Sequence, residues 1–187
     1  MKNKILNIID ESISVKEKTK KLSGVIEEIT RAIVKCYRSG KKVVLFGNGG
    51  SAADCQHIAT ELVCRFEKER KSFSAVALTT DTSLLTAVSN DYGFEKVFSR
   101  QVEGIVQKGD VVIAISTSGN SKNVISAAKQ AKKQGACVVG FTGIGGGELK
   151  NICNMTLEVP SKVTARIQEV HITVGHIICE LIENELS

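Results

Sequence analysis

His57 and Glu61, in the stretch "CQHIATEL", stand four positions apart. On a helix both project from one face, one turn above the other. That spacing serves two metal ligands, or a general base and its partner, and it also occurs as a solvated surface contact. A third candidate, His176, lies late in the chain in "TARIQEVHITVGHIICELI". The expected buried stripe of that segment is Ile167, Val170, Val174, Ile177, Ile178 and Leu181, so His176 sits beside apolar residues, and Gly175 next to it admits close approach of another group. His171, five positions earlier, falls on a different face and reads as structural.

Two loops could hold an anion. In "STSGNS" the hydroxyls of Ser116, Thr117, Ser118 and Ser121 flank Gly119 and Asn120 where a helix should start. Hydroxyl donors, free N–H groups and the positive end of a helix dipole suit a phosphate, whose oxygens accept several such bonds at once. A single helix cap needs only one hydroxyl. The earlier loop, in "VVLFGNGGSAAD", is less specific. Gly47, Gly49 and Ala52 satisfy G-x-G-x-x-A after a strand, and a tight turn with no ligand is the alternative. The acid that should hold a dinucleotide ribose is missing: the next strand runs into Thr79-Thr80, with Asp81 opening a helix. No Lys-Ser or Lys-Thr follows the glycines either, so no nucleotide cofactor is expected.

These loops need a frame. Residues 1–39 read as helix, with Leu22, Val25, Ile26, Ile29, Ala32, Ile33, Cys36 and Tyr37 forming an apolar stripe that Ser39-Gly40 ends. This extension packs either on a neighbouring subunit or over its own sheet. Beyond it, strands are expected at 42–46, 74–78, 110–115, 136–141 and 155–159. Helices are expected at 51–66, 82–90, 94–107, 121–134 and 164–185. Short β-rich runs alternating with helical patterns argue for α/β architecture: a three-layer α/β/α sandwich around a five-stranded parallel sheet. No linker appears, so 1–187 reads as one domain, with 1–40 a helical extension and 41–187 the α/β core.

Composition removes other classes. Aromatics make up 4 % of the chain and Trp is absent, which leaves no stacking platform for nucleic acid. The net charge of +5 is mild, and Lys16, Lys18, Lys20 and Lys21 alternate with other residues as on a solvated helix face. The opening apolar run, broken by Asn7 and Asp10, is too short for a signal peptide, and no run reaches the ~18 residues of a membrane span. The six cysteines contain no C-x-x-C pair. The expectation is a cytoplasmic, reduced protein with neither nucleic-acid nor membrane partners.

Taken together, "GNGGSAADCQHIATEL", "ALTTDTSLLTAVSNDYGFE", "ISTSGNS" and "VPSKVTARIQEVHI" resemble, in order and spacing, the motifs of the phosphoheptose isomerase family of the sugar-isomerase (SIS) domain class. The likeness runs from residue 42 to the end. It implies conversion of D-sedoheptulose 7-phosphate to D-glycero-D-manno-heptose 7-phosphate through an enediol(ate), the entry to nucleotide-heptose synthesis. On that mapping Glu61 is the base moving a proton between C1 and C2, and His176 is its acid/base partner. Asn48, Gly49, Gly50 and Ser51, with Ser116, Thr117, Ser118, Ser121 and Gln168, would hold the phosphosugar, and Asn90 and Asp91 would meet its hydroxyls. Some members bind zinc through residues matching His57, Glu61, Gln168 and His176. Cys55 and Ser89 depart from the family pattern without touching a catalytic position. The rivals are a non-enzymatic adaptor that binds a replication initiator, which departs at the positions of Glu61 and His176, and a dinucleotide-binding oxidoreductase.

Gln168 and His176 are two turns apart, about 12 Å along a regular helix. One helix does not bring both to one ion at ~2 Å ligand distances. The site is therefore expected to draw residues from more than one subunit, with a homotetramer implied by the resemblance. Sedimentation of the active protein should show an oligomer; a monomer retaining full activity would contradict this.

Overall fold

The computed structural model describes residues 1–187. Five strands, β1 (Val43–Gly47), β2 (Ala75–Ala77), β3 (Val111–Ile115), β4 (Cys137–Thr142) and β5 (Met155–Glu158), form one sheet in the order β2-β1-β3-β4-β5. Every pairing is parallel. β1 and β3 pair in register from Val43↔Val111 to Gly47↔Ile115, so the chain leaves both strands side by side, where the strand order reverses.

Strands buried on both faces need no polar alternation. "VVLFG" and "VVIAI" are buried throughout. Val43, Leu45, Ile113, Ile115 and Phe141 face one apolar cluster, shared with α2 (Ser23–Arg38), α3 (Gly50–Val63) and α8 (Thr164–Leu186). Val44, Phe46, Val112, Ala114 and Val138 face a second, shared with α5 (Ser99–Ile105) and α6 (Lys122–Lys133). The result is a three-layer α/β/α sandwich, each fully buried Leu, Ile or Phe contributing roughly 1.5–3 kcal/mol.

The N-terminal extension, read as helical over 1–39, is two helices, α1 (Lys2–Thr19) and α2, joined by a 3₁₀ turn at Lys20–Leu22. α2 covers the chain's own sheet through Ile26, Ile29, Ile33 and Cys36. α1 is tied to α8 by Arg166, which donates to the Ile8 carbonyl, and by Ser12, which donates to Glu169. Its Ile5, Leu6, Ile8, Ile9 and Ile13 are exposed. The segment expected as a helix over 94–107 is a 3₁₀ turn (Phe94–Lys96) followed by α5, with α4 (Thr82–Tyr92) closed by Gly93 at positive φ. The short α7 (Gly147–Lys150) was not expected. α3 stops at Val63 rather than residue 66, because its last carbonyls accept from the Arg70 side chain instead of from further helical N–H groups. The stripe of α8 also needs correcting. Ile167, Val170, Val174 and Ile178 are buried with Cys179 and Ile182, whereas Ile177 and Leu181 are 39 % exposed. These two line an open groove beside Lys16, Ser23 and Ile26 of the N-terminal segment.

His171 is fully buried, its Nε2 against the Thr142 carbonyl at 3.2 Å and its Nδ1 without a partner. Desolvation pushes its pKa down from 6.5 to about 4, against the pull of that hydrogen bond. The unfolded chain therefore takes up this proton first as pH falls. The neutral ring's contribution is complete above pH 6.5 and is lost between 6.5 and about 4, an effect of about 3 kcal/mol. His171→Leu leaves the Thr142 carbonyl still bonded to Val159 N–H. It should flatten the fall of Tm across that window; an unchanged slope would refute the assignment.

Candidate active site

The loop after β1 and the loop after β3 emerge together. Gly47 has no room for a side chain: a Cβ there would sit 3.0 Å from the Ile115 carbonyl and from Ser51. Gly49 takes φ +56 and α3 begins at once. The N–H groups of Gly49 and Gly50 have no protein acceptor at the positive end of α3. In the second loop Ser116 and Ser121 share a hydrogen bond at 2.9 Å, and Ser118 Oγ accepts from Asn120 N–H. Gly119 turns at φ +67 against the Gly146 and Gly147 backbone, where any side chain would collide. Thr117 is half-buried and its carbonyl accepts from Gly143 N–H.

A residue that the sequence did not single out ties the two loops. Asn123, 4 % exposed in the first turn of α6, exchanges hydrogen bonds with Asn48: Asn48 Nδ2 donates to Asn123 Oδ1 at 2.9 Å and Asn123 Nδ2 donates back at 2.8 Å. Asn123 Oδ1 also accepts from Val124 N–H. An Asn at a helix start reads from sequence only as a cap; its reach of 75 positions is visible only in the fold.

α3 and α8 lie side by side. The start of α3 meets the start of α8, since a Cβ on Gly50 would sit 2.5 Å from Gln168 Nε2. Two turns on, Gly175 faces Ile58, where a Cβ would come within 2.7 Å of Cδ1. The helices are thus parallel, and His57 and Glu61 of one meet His176 of the other within a single chain. Glu61 Oε1 is 3.1 Å from His57 Nε2, and that nitrogen is 3.3 Å from His176 Nε2. The two imidazoles meet edge to face, with the Phe66 ring 5.6 Å from His176. The Glu61 side chain is 22 % exposed, and its other oxygen has no protein partner. Asp54, one turn before His57, has a buried oxygen without a partner; desolvation raises its pKa, against the pull of the His57 ring.

One ligand atom from each of His57, Glu61 and His176 lies within 4.8 Å of the others. Two imidazole nitrogens and a carboxylate are a catalytic zinc donor set, which leaves a fourth position open. Tetrahedral ligands at ~2.05 Å stand about 3.3 Å apart, close to the observed 3.1 and 3.3 Å. The residues fit the ion. Gln168 is not beside them; it stands at Gly50, at the start of α3. Asn90 and Asp91 are exposed on α4 and bond to each other, with no hydrogen bond to the rest of the set.

A SIS domain model matches residues 9–143. The chain is 51 % identical, over an alignment of 189 residues spanning all of it and 96 % of the relative, to the phosphoheptose isomerase of Clostridium acetobutylicum. Among solved structures it is similar to the phosphoheptose isomerase GmhA of Neisseria gonorrhoeae, with TM-score 0.93, 41 % identity and 98 % of each chain covered. It is likewise similar to a phosphoheptose isomerase of Francisella tularensis, with TM-score 0.94, 37 % identity and 97 % of each chain covered.

The Asn48–Asn123 pair should behave as a unit. In urea denaturation, Asn123→Ala is expected to cost about 1–3 kcal/mol by leaving Asn48 and Val124 N–H unpartnered. A double-mutant cycle with Asn48→Ala should give a coupling of about 1 kcal/mol or more; strict additivity would show that the pair does not tie the loops.

Proposed function

Because this chain belongs to the phosphoheptose isomerase family of SIS-domain proteins and is a sugar-phosphate isomerase, we propose that its reaction is D-sedoheptulose 7-phosphate to D-glycero-D-manno-heptose 7-phosphate, the first step of nucleotide-heptose synthesis. The observation that carries the reading is the convergence of the Glu61 carboxylate and the His176 imidazole on one point, beside His57.

A ketose becomes its aldose by losing a proton from C1 and gaining one at C2. Glu61, through its unpartnered oxygen, takes the C1 proton; the C–H electrons form the C1=C2 bond while the C2 oxygen receives a proton from His176. The enediol then collapses the other way. His176 removes the O1 proton, C1 becomes the carbonyl, and Glu61 returns its proton to C2. A carboxylate and an imidazole placed together serve both carbon and oxygen. When bound at His57, Glu61 and His176, zinc would supply Lewis-acid polarisation of the carbonyl oxygen.

The phosphate is assigned to the two loops: the free N–H groups of Gly49 and Gly50, with Asn48 and Ser51, and the hydroxyls of Ser116, Thr117, Ser118 and Ser121. Gln168, reaching Gly50 from α8, belongs to the substrate set, and Asn90 and Asp91 are assigned to sugar hydroxyls. The working form is proposed as a homotetramer with sites at subunit interfaces. Two observations support this: the exposed Ile5, Leu6, Ile8, Ile9 and Ile13 of α1, and the two turns of α8 between Gln168 and His176, which leave a Gln168 ligand to come from another copy. The free cysteines suit a reducing compartment, and the proposed location is the cytoplasm.

NMR of products from a panel of ketose phosphates, with and without chelator, tests the substrate. Turnover of sedoheptulose 7-phosphate to the aldose is expected; turnover of a different ketose phosphate alone would reassign it. Glu61→Gln should lower kcat by about 10³-fold or more with the fold and phosphate binding retained. Unchanged turnover in that variant would remove Glu61 as the base.

A further inference from the structure

Arg70 and Glu183 form the most deeply buried ion pair of the molecule, with side chains 5 % and 2 % exposed and Arg70 Nε donating to Glu183 Oε1 at 2.9 Å. Glu183 also accepts from the backbone N–H groups of Phe66, Glu67 and Lys68 at 3.0, 2.8 and 2.7 Å. Desolvation pushes its pKa up, but these three donors and Arg70 outweigh it, and the value falls to about 2. Arg70 then grips α3. Nη2 donates to the carbonyl of Glu61 itself at 2.8 Å, and Nη1 to the Leu62 carbonyl at 3.0 Å. The guanidinium lies 4.1 Å over the Phe73 ring.

Stabilising a loop would need only the contacts to residues 66–68. The further bonds end on the main chain of Glu61, at the stage of the helix where carbonyls have no intrahelical donor. Fixing that peptide fixes the direction in which the Glu61 side chain leaves. Glu183 lies seven residues after His176 on α8, on the same face two turns along, and the Phe66 peptide it holds carries the ring packed near His176. A single buried pair thus touches the supports of both groups.

We propose that Arg70 and Glu183 are positioning residues for the isomerisation, holding the Glu61 backbone and the Phe66 ring so that the Glu61 carboxylate and the His176 imidazole act on one substrate. The proposal rests on Glu61 and His176 being the working pair. Arg70→Lys keeps the buried charge balanced but has no planar fork to reach Glu183, Glu61 and Leu62 together. Arg70→Met/Glu183→Gln removes both charges at once, which avoids a lone buried ion, and keeps an acceptor for the 66–68 backbone.

Both variants are assayed with sedoheptulose 7-phosphate well below their Tm, with kcat expressed per folded molecule, and the imidazole proton resonances of the three histidines are recorded. The expected result is a fall in kcat of about tenfold or more with KM within about threefold, and displaced His57 and His176 resonances while His171 is unmoved. The proposal is overturned if kcat per folded molecule stays within about twofold of the parent, if activity falls only in step with folded protein, or if His171 shifts as much as the other two. Should Arg70→Lys not fold, the double variant decides by the same criteria, and failure of both to fold means a purely structural role and overturns it. If the unmodified protein does not turn over sedoheptulose 7-phosphate, the substrate assignment falls, and the resonances alone decide the positioning role.

Discussion

The contact that the site depends on is the close, parallel packing of α3 against α8. Both helices follow parallel strands and start from the strands' carboxyl ends, so their directions agree as a consequence of topology. What brings them near enough is the absence of side chains at Gly50 and Gly175, which face Gln168 and Ile58. Residues 119 positions apart then meet as neighbours, and a carboxylate and two imidazoles share one point. Bulk at Gly175 would push His176 away from His57 without altering any group that does chemistry.

The carboxyl ends of the strands also supply the proposed anion site. β1 and β3 are adjacent, so their following loops are adjacent too, and the start of α3 and the start of α6 point into the same space. The device is electrostatic at one end and acid–base at the other. N–H groups and hydroxyls suit a dianion that does not react, while the side chains proposed to move protons sit further along α3 and α8. In the proposed reaction, separating the two tasks lets the binding of the phosphate hold the reacting carbons in place.

Much of this frame was legible in the sequence because it rests on local pattern. The strands are short, mostly apolar runs rich in Val and Ile, and the His57–Glu61 spacing and the hydroxyl-rich loop announce themselves. What stayed hidden was set by contacts far apart in the chain. α3 ends early because of Arg70 and Glu183, two charged residues the sequence did not single out, one in the run "RFEKERK" and one in "ELIENEL". Asn123 reads as a cap, yet joins two loops. α7 is a single turn, too short to show a period. Ile177 and Leu181 fit the helical stripe of α8 but face an open groove, because the stripe is wider than the surface that covers it. His176 could be placed beside apolar residues; its meeting with His57 required the packing of two helices that no spacing rule connects.

A crystal structure of the protein with sedoheptulose 7-phosphate bound tests the account most directly. It should place a Glu61 carboxylate oxygen within about 3.5 Å of C1 and C2, with His176 in hydrogen-bond reach of O1 or O2, and the phosphate on the loops that follow β1 and β3. A sugar bound with Glu61 and His176 in separate environments, counting every copy in the assembly, would contradict it.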